Sequence, residues 1–360
     1  MCNFGKQKSK KVKNYISYII LVMLLLMALP TTAQKITLGT CETKDGGEYN
    51  GEMLAGKPHG KGTTVFPNGD VFEGNYEKGY REGYGVYTFS DGEKYEGQWI
   101  QNHQHGQGTF HFSNGNKYVG LWYKDIQQGH GVMYYFNGDK YDGNWAGDKR
   151  NGVGKYTYQN GAFYDGQWRE DVKTGQGVFY WADGTTYKGN WLNNKRSGKG
   201  MNQYSDGDVY DGMWLNDMPH GKGVYRFSNG DVYEGDYANG RRTGEGIYTS
   251  VNGDKYTGHF LNGDKDGYGE MHFRNGDVYQ GYWKNDMQNG KGRFSTKDGS
   301  VLEGTFTNGI PNGDFEIREA NGAKFRGPYK DGKKHGRFIE IDENGNRNVV
   351  DYDNGEPILR

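Results

Sequence analysis

The sequence has few cysteines: two among 360 residues, Cys2 and Cys41. Cys2 falls in a segment that we expect to be removed, so the mature protein can form no intrachain disulfide and cannot depend on crosslinks for stability. Cys41 ends a short stretch, residues 38–41, that superficially resembles a lipid-attachment box. This stretch lies well beyond the long apolar run, with Lys35 between them, so a lone thiol in a capping strand is the favoured interpretation.

Long hydrophobic runs are also scarce, because residues 15–29 form the only one. Five lysines precede this run, and Pro30 and small residues follow it, which is the pattern of a secretory signal peptide. We expect residues 1–33 to be a signal peptide cleaved before Gln34. The alternative is an uncleaved signal anchor, since a tilted or snorkelling helix of this length can span a bilayer. In either case the remaining chain is predicted to be periplasmic, in the cell envelope or secreted.

A strong charge of either sign is absent: there are 44 basic and 45 acidic residues. Five of the lysines lie in residues 1–33, so the remainder has 44 − 5 = 39 basic against 45 acidic groups, a net charge of −6. This composition provides no polybasic patch of the kind that anionic lipids attract. We therefore predict no nucleic-acid partner, and we rank phospholipid binding below protein binding.

Aromatic residues and glycine, by contrast, are abundant. A mean hydropathy of −1.00 and 62 glycines would suit a disordered chain, but 30 Tyr, 17 Phe and 8 Trp are too many rings for one. The rings recur with a period of 23 residues, thirteen times from Tyr49 to Arg347, without insertion or deletion. When each repeat is numbered from position 1 to position 23, positions 3, 12 and 21 are Gly in every copy. Such a period predicts a repeat array in which each unit stacks on its neighbours.

The pattern within one repeat predicts a β-hairpin. The repeat that begins at Tyr95 alternates ring and polar residues as far as Trp99, which is typical of a strand with one buried face. Positions 20 and 21 are Asn-Gly or Asp-Gly in all thirteen repeats, and these dipeptides accept the positive φ values of tight hairpin turns. The predicted fold is therefore all-β: an elongated, twisted, single-layer antiparallel sheet of about thirteen hairpins, preceded by an N-terminal apolar helix.

Glycine inside a strand makes sense where a ring or another backbone approaches closely. We expect the position-1 and position-5 rings to lie flat across a furrow of glycines, and we select them as a candidate stacking and interaction face: Tyr95, Trp99, Tyr118, Trp122, Tyr141, Trp145, Tyr164, Trp168, Tyr187, Trp191, Tyr210 and Trp214. The corresponding turn and furrow glycines are Gly97, Gly106, Gly108, Gly115, Gly143, Gly152, Gly154 and Gly161.

The order Tyr-x-Gly-x-Trp, a polar stretch, His-Gly-x-Gly, an aromatic strand and Asn/Asp-Gly-Asp resembles the MORN (membrane occupation and recognition nexus) repeat. The resemblance covers Tyr49 to Arg347. It implies β-hairpins that build an elongated, twisted sheet, and it implies protein–protein contacts and phospholipid or membrane attachment. It implies no catalytic residues.

The ends of the array diverge from the pattern, as capping repeats do. Leu302 replaces the leading Tyr, Phe315 and Phe338 replace the position-14 Gly, and Pro328 is expected to limit ladder pairing. The predicted divisions are a signal peptide or anchor at 1–33, a half-repeat cap at 34–48, regular repeats at 49–301, divergent repeats at 302–347 and a tail at 348–360.

No set of catalytic or metal-binding residues stands apart from the repeats. Four histidines precede the position-12 glycine: His59, His105, His220 and His335. The repeats that carry them are mostly not adjacent and no Cys accompanies them, so polar loop residues are favoured over zinc ligands. Acids also occur near the turns, once per hairpin: Asp139, Asp208, Asp231 and Asp277 are examples. A Ca²⁺ site needs several acidic ligands, so solvated turn residues are favoured over calcium ligands.

We therefore predict no cofactor, no metal site and no enzymatic activity. The segments before Tyr49 and after Arg347 are too short for a catalytic domain. The favoured hypothesis is a non-enzymatic extended scaffold outside the cytoplasm that binds an unidentified protein. The alternatives are a phospholipid- or membrane-associated protein, with residues 15–29 in the membrane if they are not cleaved, and carbohydrate binding through exposed aromatic rings. Oligomerisation is open, because edge strands can pair with another copy.

Overall fold

The computed structural model describes residues 35–358, and all regular structure in that range is β-strand. The all-β prediction is confirmed for these residues, among which no helix capable of spanning a membrane occurs. The apolar helix predicted for residues 15–29 lies outside the described range. The chain divides after Ser113 into two compact units, which are described separately below.

The N-terminal unit, described from residue 35 to residue 113, contains seven strands. They are β1 (Thr37–Glu42), β2 (Glu48–Leu54), β3 (Lys57–Val65), β4 (Val71–Glu77), β5 (Tyr80–Thr88), β6 (Lys94–Ile100) and β7 (His103–His111). Each strand pairs antiparallel with the next one along the chain. The unit is therefore a meander, the topology that short hairpin connections produce.

The C-terminal unit, residues 114–358, continues the same order. Its strands are β8 (Lys117–Tyr123), β9 (Ile126–Tyr134), β10 (Lys140–Ala146), β11 (Lys149–Thr157), β12 (Phe163–Arg169), β13 (Val172–Tyr180), β14 (Thr186–Leu192), β15 (Lys195–Gln203), β16 (Val209–Leu215), β17 (Met218–Arg226), β18 (Val232–Ala238), β19 (Arg241–Thr249), β20 (Lys255–Leu261), β21 (Asp264–His272), β22 (Val278–Lys284), β23 (Met287–Ser295), β24 (Val301–Thr307), β25 (Ile310–Arg318), β26 (Lys324–Lys330), β27 (Lys333–Lys334), β28 (Gly336–Ile341), β29 (Arg347–Asp353) and β30 (Glu356–Pro357). Sequential strands again pair antiparallel, and β26 pairs with both β27 and β28.

Two kinds of turn alternate along both units. The tight turn joins the two strands of one repeat at positions 7 and 8, where both residues have positive φ, for example Asn193 (50°) and Asn194 (66°). This geometry matches the twist of the flanking strands. The Asn/Asp-Gly turn joins one repeat to the next, and there only the Gly has positive φ, as at Gly161 (86°). Asn160 instead accepts a hydrogen bond from the backbone N–H of Ala162 through its side chain (3.1 Å). The tightest turn thus lies in the polar stretch, not at the Asn/Asp-Gly pair.

A β-bulge interrupts the ladder within the hairpins. In the hairpin of β10 and β11, Gly143 pairs with Gly154, but Trp145 pairs with Arg150, so the second strand carries extra residues between these pairs. Gly152, at position 12, lies in this bulge with a φ of 93°. A left-handed bulge residue is the usual place for Gly in a strand, which accounts for the Gly at position 12.

The first and last strands extend the array beyond the thirteen repeats. The β1 strand joins β2 through a turn of the Asn/Asp-Gly type, in which Gly46 has a φ of 81°. At the other end, β29 in residues 347–353 pairs with β28. The ladder of β26 is interrupted around Pro328: its residues 324–326 pair with β28, whereas residues 329–330 pair with β27. Proline cannot donate to a ladder, which is consistent with a break at that position.

Candidate functional site: an aromatic face and a variable face

The position-1 tyrosines lie over the interior glycines. Tyr141 has no exposed surface, and its ring lies against Gly143 and Gly154, which face each other on β10 and β11. A Cβ atom on Gly143 would lie 2.6 Å from the Tyr141 hydroxyl oxygen, and one on Gly154 would lie 2.5 Å from the Tyr141 Cζ. Tyr95 makes the same contacts with Gly97 and Gly108. Any side chain at these positions would displace the ring.

The hydroxyl group explains why the ring belongs to Tyr. Tyr141 donates a hydrogen bond to the backbone carbonyl of Asn144 (3.0 Å). Asn144 lies at the bulge and has no paired residue on β11. Every repeat that begins with Tyr contains the same bond between positions 1 and 4. The hydroxyl thus satisfies a partly buried acceptor where the ladder is irregular.

The position-5 rings connect one repeat to the next. Trp168 donates from Nε1 to the backbone carbonyl of Gly154 in the preceding repeat (2.9 Å). Tyr141 lies between Trp145 and Trp168 at centroid distances of 5.3 and 5.5 Å, with interplanar angles of 84° and 83°. The rings therefore contact each other edge to face, the arrangement that aromatic quadrupoles favour.

Burial of these rings corrects the interpretation of them as a surface. All twelve candidate rings are at most 6% exposed: Tyr95, Trp99, Tyr118, Trp122, Tyr141, Trp145, Tyr164, Trp168, Tyr187, Trp191, Tyr210 and Trp214. Because aliphatic residues are sparse, these rings form the core. Carbohydrate binding through them would require exposed ring faces that the described structure does not present.

The divergent repeats keep this core by a different route. Leu302 stands at position 1, and the ring comes from Phe315 on the facing strand instead. A Cβ atom on Gly304 would lie 2.5 Å from Cγ of Phe315. Phe315 contacts Phe306 and Tyr329 edge to face at 5.3 and 5.2 Å, the arrangement that Tyr141 has between its two tryptophans. The loss of the leading Tyr and the loss of the position-14 Gly are thus one compensated change.

Cations at position 10, which the sequence interpretation overlooked, complete the aromatic face. We define this face as positions 1, 5, 10, 16 and 18. The Arg150 guanidinium lies 4.4 Å from the centroid of Trp168 and 5.4 Å from that of Tyr156. Burial, with the neighbouring charge of Arg150, lowers the pKa of Lys173 to about 8. The signal was present in the sequence, since seven repeats carry a cation at this position: Arg81, Arg150, Lys173, Arg196, Arg242, Lys265 and Lys334.

Acids at position 22 link one repeat to the turn of the next. Asp208 accepts hydrogen bonds from the Tyr225 hydroxyl (2.6 Å) and from the Ser228 backbone N–H (2.7 Å). The bond from Tyr225 lowers the pKa of Asp208. Our prediction of freely solvated turn residues is therefore wrong for this carboxylate. Among residues 35–358, no group of three or more His, Cys, Asp or Glu side chains is arranged to hold a metal ion.

The opposite side of the strands, which we call the variable face, carries positions 2, 4, 13 and 15. Tyr268 and Tyr282 are cross-strand neighbours on this face, with rings 5.7 Å apart at 78°. They are 58% and 51% exposed. A surface depression beside them is lined by Gln280, Lys291, Arg293, Glu303 and Arg326, among others.

Hairpin repeats of 23 residues with a ring-over-glycine core define a β-repeat protein. The MORN repeat family model matches eleven consecutive segments of 23 residues that cover residues 49–301. The chain belongs to the MORN repeat family. The matches stop before residues 302–347, the region in which Phe315 and Phe338 replace the position-14 Gly.

Several solved structures are similar to the chain at low identity. One is the SAS-4 (dCPAP) TCP domain of Drosophila melanogaster in complex with a proline-rich motif of Ana2 (dSTIL), with 16% identity, 48% of this chain and 88% of that chain covered, and a TM-score of 0.29. Another is the TCP10 domain of Danio rerio CPAP, with 15% identity, coverage of 68% and 99%, and a TM-score of 0.26. A third is virginiamycin B lyase from Staphylococcus aureus, with 10% identity, coverage of 88% and 89%, and a TM-score of 0.13. These scores are too low to support an argument about function. No curated protein matches the sequence.

Proposed function

We propose that this MORN repeat protein is a non-enzymatic scaffold that binds a protein partner on its variable face. The observation that carries the proposal is the exposed, edge-to-face pair of Tyr268 and Tyr282 beside a depression lined by Lys291, Arg293 and Glu303. Tyrosine and arginine are enriched where protein interfaces gain most of their binding energy. The charged residues around the pair are exposed and suit the polar rim of such an interface.

The polar residues that recur in the repeats support a role without catalysis. Tyr141 and Trp168 use their polar atoms to satisfy backbone carbonyls, and Asp208 uses both carboxylate oxygens in one connection between repeats. Each of these bonds stabilises a strand or connects one repeat to the next. The proposal of a scaffold accounts for them without any reacting group.

Export is a separate part of the proposal and rests on the pattern in residues 1–33. Mass spectrometry of the purified cellular protein gives its first residue, and fractionation gives its compartment. We expect a mature N-terminus at Gln34 in the exported fraction. A cytoplasmic protein that begins at Met1 would contradict this part alone.

A photo-crosslinking amino acid in place of Tyr282 tests the binding surface in intact cells. We expect one predominant crosslinked protein at position 282 and the same protein at position 268. The matched control is Tyr123, which is 53% exposed and outside the depression. An identical crosslinking pattern at position 123, or no crosslink at positions 268 and 282, would contradict a partner on this face.

A further inference from the structure

Each position-10 cation lies in a box of four positions on the aromatic face. The box consists of position 18 of the preceding repeat, positions 1 and 16 of the same repeat and position 5 of the next repeat. Around the Lys173 ammonium these are Tyr158, Tyr164, Phe179 and Trp191, at 5.8, 5.2, 4.6 and 5.5 Å from the ring centroids. A cation within about 6 Å of a ring face is attracted by the ring quadrupole.

The repeat at residues 210–232 has the rings of this box without the cation. Its position-10 residue is Pro219, and the four box positions are Tyr204, Tyr210, Tyr225 and Tyr237. The ring centroids of Tyr204 and Tyr225 are 6.1 Å apart, those of Tyr210 and Tyr225 are 6.5 Å apart, and those of Tyr210 and Tyr237 are 5.1 Å apart. The four rings are therefore assembled although position 10 of this repeat supplies no cation to them.

Access from solvent and a bordering carboxylate favour a cation from outside, and Arg196 and Arg242 are the cations near the two ends of the box. Tyr210 and Tyr237 are buried and form the floor of the box, whereas Tyr204 and Tyr225 are half-buried and border the solvent. The Asp208 carboxylate accepts the hydrogen bond of the Tyr225 hydroxyl at 2.6 Å. A negative charge at the border of a ring box adds to the attraction for a cation.

The other five repeats without a position-10 cation differ from this one. Pro58 has Thr43 and Thr64 at two of its box positions, and Gln288 has four rings but a longer, half-buried side chain at position 10. Gln104 and Gln127 carry long neutral side chains that are only 7% and 5% exposed, so these side chains themselves are packed into the protein. Pro311 has a short side chain as Pro219 does, but Leu302 and Ile317 occupy two of its box positions. A short position-10 side chain and four rings therefore coincide at Pro219.

We propose that the box at Pro219 binds a lysine or arginine side chain of a partner polypeptide. Lysine and arginine are the occupants that the chain itself places in the equivalent boxes, so the spacing of the rings suits their heads. That the source is a protein rests on the proposed scaffold function, whereas the affinity of the box for a cation does not. Because the box lies on the aromatic face, it is a second contact surface, separate from the one around Tyr268 and Tyr282 on the variable face.

Titration with side-chain analogues tests the box without any partner. The full chain with ring-labelled tyrosines is titrated by NMR with n-butylammonium and n-propylguanidinium, and with 1-pentanol as the neutral analogue. We expect saturable shifts of Tyr204 and Tyr225 with both cations, and binding weaker by about tenfold for 1-pentanol. Pro219→Lys should abolish the shifts, because its own ammonium would fill the box as Lys173 fills the box of its repeat. Pro311→Lys is the matched control and should leave them unchanged.

Three results would overturn the proposal: shifts that do not saturate, an equal response to 1-pentanol, or undiminished binding by the Pro219→Lys variant. Choline is titrated as well, and a preference for choline over both side-chain analogues would point to a lipid headgroup and would also overturn it. Failure here leaves the crosslinking at Tyr282 unaffected, and failure of that crosslinking leaves the titration interpretable.

Discussion

Moving the core ring of one repeat from position 1 to position 14 tests whether the core needs a ring from one particular strand or only a ring over the furrow. The double variant Tyr141→Leu with Gly154→Phe reproduces in a regular repeat the arrangement that Leu302 and Phe315 have in the divergent region. If the core needs a ring over the furrow regardless of which strand supplies it, each single change should be costly and the pair should be tolerated.

The contacts around Tyr141 set the magnitudes. Tyr141→Leu removes a fully buried ring from between Trp145 and Trp168 and leaves the Asn144 carbonyl without its hydroxyl donor, a loss of about 2–4 kcal/mol. Gly154→Phe alone places a second ring where the first one lies, at an overpacking cost of about 1–3 kcal/mol or more. The double variant recovers the ring but not the hydroxyl bond, so we expect a net cost of about 1 kcal/mol. The coupling free energy is then about 4 kcal/mol in favour of the pair, from the midpoints of these ranges.

Urea denaturation followed by tryptophan fluorescence measures these differences as shifts of the transition midpoint. The matched control combines Tyr141→Leu with Gly177→Phe, which brings the new ring under Tyr164 in the next repeat and should rescue nothing. If the Tyr141 and Gly154 changes prove additive, or if the control rescues equally, the ring-over-glycine explanation of the core is wrong.

Three further predictions concern hydrogen bonding and pH. Trp168→Phe should destabilise the protein by about 1–3 kcal/mol, because the Gly154 carbonyl loses its donor; an unchanged urea midpoint would contradict this. The Tyr225 hydroxyl lowers the pKa of Asp208 below the usual 3.8, so its stabilisation is present above that value and is lost as the pH falls through the lower folded pKa. Tyr225→Phe should therefore lower the melting temperature at pH 7 more than at pH 2, and equal losses at both would refute the linkage. Burial raises the pKa of Tyr187 to about 12, so the folded state binds more protons than the unfolded state above pH 10 and stability should fall there. Absorbance at 295 nm follows the ionisation of tyrosine, and circular dichroism follows unfolding. Complete tyrosine ionisation near pH 10 in a folded protein would contradict burial.

The strands and the core were predictable because their signals are local and recur in phase. The alternation of Tyr95, Gly97 and Trp99 identifies a strand with one buried face, and thirteen copies in register confirm the period. The tight turn was not recognised although its signal is present, since positions 7 and 8 are Asn-Gly at Asn239–Gly240 and at Asn262–Gly263, where both residues have positive φ. The twelve stacking rings were also selected as an interaction face, because a phase shows which residues share a face but not whether that face is covered.

The remaining features depend on contacts between repeats. The partner of Asp208 is Tyr225, 17 residues further along the chain, and the two meet because a turn of one repeat lies beside a strand of the next. The role of Arg150 has the same origin, since its guanidinium reaches a ring that belongs to the following repeat. Pairings of this kind depend on the register of one repeat against the next, which the pattern within a single repeat does not specify.

The sequence by itself determined that this protein is a stack of hairpins with an aromatic core, since spacing alone fixes which residues alternate and where the chain can reverse. Only the tertiary structure decided that the tryptophans meet the tyrosines edge to face, that Tyr268 and Tyr282 form an exposed pair on the other side, and that four rings assemble around Pro219. The physical reason is that burial and ring contacts arise between repeats, where side chains far apart in the chain compete for the same space.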